Sequence, residues 1–261
     1  MRNILAIVRK ELYSYFFSPI IWIVFSVFLF LVGWMFLTST ANFAQVYAQY
    51  MQQQAMHRNM SAVFNVNAQI LMPLLGNTSV ILLLLVPTLT MRLLAEEHNN
   101  GTMELLLTRP VTVTQLVLGK YIASLIILGL MLACTALYPL ILSIYGTLDL
   151  GPVYSAYTVI FLVGASFLAF GLFASACTTS QVIAAIVAFG GNLFFWMIAW
   201  ISSSVEEWKI LAKVLDHLSL PGHFANGIKG VFSSVDMIYY CSFIAFFLFL
   251  THRVIDSTRW R

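Results

Sequence analysis

The chain has 261 residues, of which 61% are hydrophobic and only 9% are charged, and its formal net charge is +3. Water-soluble domains carry about 25% charged residues, so this composition excludes a soluble globular protein. Apolar runs long enough to cross a hydrocarbon core of about 30 Å recur along the chain. We therefore predict an all-α polytopic membrane protein that forms a single domain over residues 1–261.

The segment RNILAIVRKELYSYFF predicts an amphipathic helix at the start of the chain. Arg9 and Lys10 lie on its polar face. Its apolar face comprises Ile4, Leu5, Val8, Leu12, Tyr15 and Phe16. Because Pro19 follows directly, we expect residues 1–18 to form an interfacial helix on the membrane surface. The alternative is that this segment simply extends the first span.

Six apolar segments predict six transmembrane helices. They lie at about 20–40, 70–94, 116–146, 153–176, 181–201 and 236–252. The stretch CTTSQ between the fourth and fifth spans predicts a tight hairpin. Residues 41–69 form a polar outer loop or a helical extension of the first span. Within the outer region 202–235 we expect a short amphipathic helix that is closed by Pro221-Gly222.

The distribution of basic residues predicts the orientation of the spans. An even number of spans places both termini on one side. On that side lie Arg2, Arg9, Lys10, Arg92, Arg109, Lys120, Arg253, Arg259 and Arg261. Only Arg58, Lys209, Lys213 and Lys229 lie on the other. The positive-inside rule therefore predicts that both termini lie in the cytoplasm. We expect the membrane to be a bacterial inner membrane.

The spans carry almost no ionisable groups, and none occurs between Leu150 and Val205. A proton- or sodium-coupled carrier uses such groups, so a secondary carrier is disfavoured. A phosphate-binding GxxxxGK[ST] loop is missing because Tyr121 follows Gly119-Lys120. We predict that the chain is not an enzyme, binds no metal or cofactor itself and takes its energy from a partner.

The polar segment LLAEEHNNGTMELLLTRPVTVTQLVLGK joins the second and third spans. Asn99-Asn100-Gly101 predicts a helix stop. The following TMELLLT can form a short transverse helix that Pro110 ends. Thr112 with Gln115 is typical of a capping box at the start of the third span. We expect a cytoplasmic loop at 95–115 that transmits force to two spans; the alternative is an ordinary compact loop.

This segment resembles the signature of ABC-2-type membrane subunits, namely an acidic pair, Gly-Thr, a Leu run, Pro and Gly-Lys. The similarity is greatest to the gliding-motility-associated permease branch and looser to the nitrous-oxide-reductase maturation permease. RKELYSYFFSPI near the start and LDHLSLPGHFANGIKGVFSSVDMIYYCSFIAFFLFLTHRVIDSTRW near the end agree with that branch. The resemblance covers most of the chain and implies the fold of ABC-2, or type V, exporters.

The resemblance also implies partners and site residues. The short helix after the second span would be a coupling helix seated in a separate ATPase subunit. The matching contact residues are Glu96, Glu97, Gly101, Thr102, Glu104 and Leu107, with Arg9, Lys10 and Glu11 of the interfacial connecting helix beside them. Two ATPase subunits would bind ATP and Mg, and a second permease subunit would complete a homo- or heterodimer. A re-entrant outer element fits Pro221 to Ser234.

The expected function is export of a lipid-like or amphipathic substrate, along a path between the second and fifth spans of the dimer. Candidate path residues are Phe189, Phe194, Phe195 and Trp196, although lipid contact or packing explains them equally well. The alternative function is a non-transporting, ATP-driven scaffold that passes movement to a partner protein. A gliding-motility auxiliary-type membrane protein is a further expected partner, besides the lipid bilayer; nucleic acid is not one.

Overall fold

A computed structural model describes residues 2–56, 66–101, 112–145, 148–204, 217, 219–228, 230 and 233–258. These residues form ten α-helices and one π-helical turn. The bounds are α1 Arg2–Phe17, α2 Pro19–Met56, the π-helical turn Asn67–Leu71, α3 Met72–Thr90, α4 Ala95–Asn99, α5 Val113–Thr135, α6 Leu137–Tyr145, α7 Leu150–Ala176, α8 Gln181–Ser204, α9 Leu220–Ile228 and α10 Ser234–Thr258. The expected all-α class is confirmed.

Six helical stretches are long and apolar enough to cross a membrane, as predicted. They are Pro19–Gln52, Gln69–Asn99, Val113–Ile144, Leu150–Ala176, Gln181–Ala199 and Ser234–Ser257. Short connections make the fourth and fifth spans an antiparallel hairpin, because α7 ends at Ala176 and α8 begins at Gln181. The protein is therefore a multi-pass membrane protein.

The N-terminal segment is a helix of its own rather than an extension of the first span. α1 ends at Phe17, and α2 begins at Pro19, whose missing N–H is tolerated in a first helical turn. α1 packs along the first part of α5. This confirms the separate N-terminal helix, whereas its position on a membrane surface stays a prediction.

Two spans differ in extent from the predicted segments. α2 continues to Met56, so the first part of the expected polar loop at 41–69 is helical; no Gly or Pro occurs between Trp34 and Met56 to stop it. The third span is divided at Ala136 into α5 and α6. Pro139 explains the division, because it cannot donate a backbone hydrogen bond to the carbonyl of Thr135.

The fourth span, α7, lies at the centre of the helix bundle and is the most buried of the six. It contacts α3, α5, α8 and α10. Small residues permit these close approaches: a Cβ at Gly171 would collide with the side chain of Thr90, and one at Gly191 with Phe170. The neighbouring Gly190, in contrast, has nothing within 4 Å of its Cβ position.

At the end of the bundle opposite α1, the short helix α9 packs against α7 and α8. The expectation that Pro221-Gly222 closes an amphipathic helix is wrong, because both residues lie in the first turn of α9. Proline is favoured there, and Ser219 Oγ accepts a hydrogen bond from the N–H of Gly222. The expected helix before them lies at 205–216, outside the described residues. The re-entrant character of 221–234 stays a prediction.

Candidate functional site

The contact between α1 and α5 is unusually close at Gly119. A Cβ at Gly119 would lie 2.7 Å from Cγ2 of Ile7, so a larger residue would push the two helices apart. The next residue, Lys120, is consequently directed beneath α1, and its side chain is only 2% exposed. The Gly-Lys pair of the sequence therefore combines a close helix contact with a buried cation.

Lys120 is the centre of a buried cluster that we call the lysine–glutamate cluster, formed by Lys10, Glu11, Glu97 and Lys120. Lys120 Nζ lies 2.9 Å from Glu97 Oε1 of α4 and 3.1 Å from Glu11 Oε1 of α1. Lys10 Nζ approaches the same two oxygen atoms at 3.4 and 3.5 Å. Ion pairs thus join α1, α4 and α5.

The cluster contains two positive and two negative charges, which compensate one another. A buried ion pair is costly to break, because the remaining partner is left as an unpaired charge in a medium of low dielectric constant. Lys10 is the outer member and is 61% exposed. Partial burial lowers the pKa of Lys10, but the carboxylates of Glu11 and Glu97 outweigh this, so the pKa is raised overall.

A second set of hydrogen bonds connects the end of α3 to α7. The chain turns at residues 91–94 between α3 and α4, and this interrupts the helix that was expected to run through Arg92. Ser175 Oγ of α7 accepts hydrogen bonds of 3.0 Å from the N–H groups of Leu94 and Ala95. It also donates to the carbonyl of Met91 at 3.3 Å. One buried hydroxyl therefore holds the turn against the central helix.

The two ends of the predicted coupling loop have the expected structure. α4 stops at Asn99, and Gly101 follows with a φ of +65°, which favours glycine. At the other end, Thr112 and Gln115 form the predicted capping box, and α5 begins at Val113. Residues 102–111, which include the expected coupling helix, lie outside the described residues.

The residues expected to contact an ATPase divide into two groups. Arg9, Lys10 and Gly101 are exposed, and Glu96 is half-buried. Glu11 and Glu97 instead point inward to Lys120, with side chains that are 10% and 12% exposed. Thr102, Glu104 and Leu107 lie outside the described residues. For all of these residues, contact with an ATPase stays a prediction.

The four candidate path residues on α8 also differ in their surroundings. Phe195 packs edge-on against Phe170 and Phe243, at ring-centroid distances of 5.7 and 5.1 Å. Trp196 contacts the ring of Phe167, and Phe189 is half-buried against the same core. Only Phe194 among the four lies largely exposed, at 58%. Packing within the protomer thus explains Phe189, Phe195 and Trp196, and a role of the four residues in a substrate path stays a prediction.

Sequence reasoning missed two of the residues that hold this region together. Lys120 was used for topology and as part of a motif, but its partners are distant in sequence, at Glu11 and Glu97. A lysine directly after a glycine near the start of a span was the available signal. Ser175 had no signal, because serine in FASAC is indistinguishable from the small residues that pack helices.

The fold defines a multi-pass helical membrane protein in which the first helix, the turn after the second span and the start of the third span are joined by buried charges. The profile of the ABC-2 family transporter proteins matches residues 5–249 of this chain. The chain therefore belongs to the ABC-2 transporter family, whose members are the membrane permeases of ABC transporters and associate with ABC ATPases. No curated protein matches the chain.

Proposed function

We propose that this chain is the membrane subunit of an ATP-driven ABC exporter. It is coupled to a separate ATPase chain through the loop 95–115, and both of its termini lie in the cytoplasm of a bacterial inner membrane. ATP and Mg bind to the partner ATPase. Membership of the ABC-2 family supports the permease role. The residues of the chain itself support the route of coupling, as the following paragraphs argue.

The lysine–glutamate cluster is the observation that carries the proposal. Glu97 lies in α4 at the start of the coupling loop, Glu11 in the N-terminal helix and Lys120 in the third span. Because three elements share buried ion pairs, a displacement of one changes the charge environment of the others. We infer that a movement of the coupling loop displaces α1 and the start of α5 together.

The distribution of charge supports a cytoplasmic position for this end of the molecule. The described charged residues near α1 and α4 include Arg9, Lys10, Arg92 and Lys120, with Arg253 at the end of α10. At the opposite end, the described acidic residues are Asp149 and Asp236, and the four basic residues assigned to that side by the sequence, Arg58, Lys209, Lys213 and Lys229, lie outside the described residues. The positive-inside rule assigns the basic end to the cytoplasm.

The predicted contact residues then have two roles. We propose that Arg9, Lys10, Glu96 and Gly101, together with Thr102, Glu104 and Leu107, lie at the ATPase surface. Glu11 and Glu97 are positioning residues that act through Lys120, because their side chains are turned inward. This division changes the design of a binding test, since a substitution at Glu97 disturbs the fold as well as the surface.

We further propose that two permease subunits dimerise through the second and fifth spans, with the substrate path between them. α3 and α8 pack against each other, and both keep apolar residues outside the protomer core. Val80 and Leu84 are exposed on α3, as are Phe194 and Met197 on α8. An apolar lining of this kind suits a lipid-like or amphipathic substrate. We also propose that the chain belongs to the gliding-motility-associated permease branch and that an auxiliary membrane protein of that type is a further partner.

The test is co-purification of the full chain from its native host in a mild detergent. Glu96→Lys combined with Glu104→Lys reverses two charges at the proposed surface, whereas Glu97→Lys would add a third ammonium group to the lysine–glutamate cluster. Asp149→Lys is the matched control, because its side chain is exposed at the opposite end. We expect an ATPase with Walker motifs to accompany the wild type and Asp149→Lys, and to be lost from the double variant.

An intact wild-type protein that purifies without an ATPase contradicts the proposal. Loss of the ATPase from Asp149→Lys as well contradicts the proposed surface. An exporter and a scaffold that transmits movement share this first step. They are distinguished by reconstituting the complex in vesicles: an exporter moves a fluorescent amphiphile between leaflets on addition of ATP, whereas a scaffold hydrolyses ATP without doing so.

A further inference from the structure

A pocket of about 460 Å³ lies beside the lysine–glutamate cluster, between α1, α2, α3 and α4. One part of its wall is polar and charged, with Ser14, Ser18, Arg92 and Glu96. The other part is apolar, with Ile20, Ile21 and Leu89 at the beginning of the first span and the end of the second. The pocket is thus amphipathic and lies where the chain passes from the charged end of the molecule into the membrane spans.

The charges of the lining are balanced in number but not all are paired. Lys10, Lys120, Glu11 and Glu97 compensate one another within the cluster. This leaves one cation, Arg92, and one carboxylate, Glu96, since within the described part of the chain neither has an ion-pair partner within 4.0 Å. A ligand with one anionic and one cationic group could therefore pair with both of the remaining lining charges.

Arg92 has unused capacity for hydrogen bonding. Its Nη1 donates to Ser18 Oγ over a long 3.4 Å, and its Nε is buried with no hydrogen-bond partner among the described residues. A buried donor without a partner is unfavourable unless a ligand or ordered water satisfies it. The planar guanidinium group binds two oxygen atoms of a phosphate at once, which suits this position.

The surroundings of the pocket favour a ligand that is part of a membrane. Phe17 and Trp22, on either side of the turn at Ser18 and Pro19, are 84% and 55% exposed. Trp22 Nε1 donates to the carbonyl of Phe16, so its ring is held at this level. Exposed tryptophan rings such as that of Trp22 are typical of the boundary between lipid headgroups and hydrocarbon.

We propose that this pocket binds the headgroup of a zwitterionic aminophospholipid. The phosphate lies against the guanidinium of Arg92 and the hydroxyl of Ser14 or Ser18, and the primary ammonium group lies at Glu96. The acyl chains leave the pocket along Ile20, Ile21 and Leu89. The site is separate from the proposed substrate path between α3 and α8. It shares Glu96 with the proposed ATPase surface, whereas Arg92 belongs to the pocket alone, so the test relies first on Arg92. The bound lipid fills the space between α1 and α3.

The test uses the full chain, purified in detergent and exchanged into nanodiscs of phosphatidylcholine with small additions of phosphatidylethanolamine or phosphatidylglycerol. Native mass spectrometry after release into detergent counts the lipids that stay bound. The variants are Arg92→Gln, Arg92→Lys and Glu96→Gln. Arg253→Gln is the matched control, because Arg253 is exposed over the ring of Phe249. Monodispersity on gel filtration verifies that each variant is folded.

We expect phosphatidylethanolamine to stay bound to the wild type and to Arg253→Gln. Loss of a charge-assisted hydrogen bond to phosphate reduces retention in Arg92→Gln by roughly tenfold or more. Arg92→Lys keeps part of the retention, because it keeps the charge but not the fork of donors. Glu96→Gln lowers retention of phosphatidylethanolamine while leaving that of phosphatidylglycerol unchanged or higher.

Several results would overturn the proposal. One is unchanged retention in Arg92→Gln, and another is an equal loss in Arg253→Gln. A wild-type preference for phosphatidylglycerol refutes the role of Glu96. If inorganic phosphate alone raises the melting temperature as much as phosphatidylethanolamine, the ligand is free phosphate rather than a lipid. If Arg92→Gln abolishes co-purification of the ATPase without changing lipid retention, the pocket is a protein contact instead.

Discussion

Replacing Lys120 by methionine tests whether the lysine–glutamate cluster holds the charged end of the molecule together. Methionine keeps most of the volume of the side chain but removes its charge. Glu11 and Glu97, which lie 3.1 and 2.9 Å from Lys120 Nζ, would then face each other with only Lys10 between them. Removing one partner of a buried ion pair costs about 3–5 kcal/mol. We therefore expect a large loss of stability.

The assay is thermal unfolding of the detergent-solubilised protein, followed by the loss of helical circular dichroism. For a chain of this size, 1 kcal/mol shifts the melting temperature by about 2–4 °C, so Lys120→Met should lower it by roughly 10 °C. Lys10→Met is the matched control. The ammonium group of Lys10 approaches the same two carboxylates, but the side chain is 61% exposed. Exposed ion pairs contribute about 1 kcal/mol or less to stability, so we expect a much smaller decrease in melting temperature.

A third variant separates the loss of the pairing from the loss of the side chain. In Lys120→Met with Glu97→Gln and Glu11→Gln, the buried charges are removed together, and we expect most of the stability to return. The reasoning is refuted if Lys120→Met and Lys10→Met have equal effects. It is also refuted if the triple variant is less stable than Lys120→Met alone, because the cluster would then act through something other than charge compensation.

Three further outcomes are expected. Ser175→Ala leaves the N–H groups of the turn before α4 without their acceptor, which costs about 1–3 kcal/mol in thermal unfolding, and an unchanged melting temperature would contradict this. Phe195→Ala costs about 3 kcal/mol of stability, because the ring of Phe195 packs within the protomer. Phe194→Ala leaves the stability of the protomer nearly unchanged, because the ring of Phe194 is exposed. Equal losses of stability would refute this difference between the two rings. Burial, followed by the charge of Glu11, raises the pKa of the Tyr15 hydroxyl above its ordinary value of 10.0. The tyrosine therefore ionises more readily in the unfolded chain, and the stability of the folded protein falls as the pH rises above about 10. Tyr15→Phe should weaken this decline in a pH series of melting temperatures.

The local elements of this protein were predictable because each depends on a short stretch of chain. A transmembrane helix requires only sufficient length and apolarity, so all six spans were found. The helix stop at Gly101 and the capping box of Thr112 and Gln115 depend on neighbouring residues and were found as well. Proline chemistry was local too, yet the effect of Pro139 on the third span was not anticipated.

The surfaces of the spans could not be assigned in this way. Lipid and protein interior are equally apolar, so the hydrophobic pattern of a span does not show which side faces the bundle. Phe194 and Phe195 are adjacent and chemically identical, yet one is exposed and the other packs against Phe243. The central position of α7 likewise became clear only from its contacts.

By itself, the sequence determined the class of protein, the number of spans and the position of the polar connection between the second and third spans, because membrane crossing and helix capping are properties of short segments. Only the tertiary structure decided that Glu11 and Glu97 turn inward and meet Lys120, and that Arg92 is left beside a pocket. Glu11 is separated from Lys120 by 109 positions in the chain. Ion pairing acts through distance in space, and the packing of Gly119 against Ile7 creates that proximity.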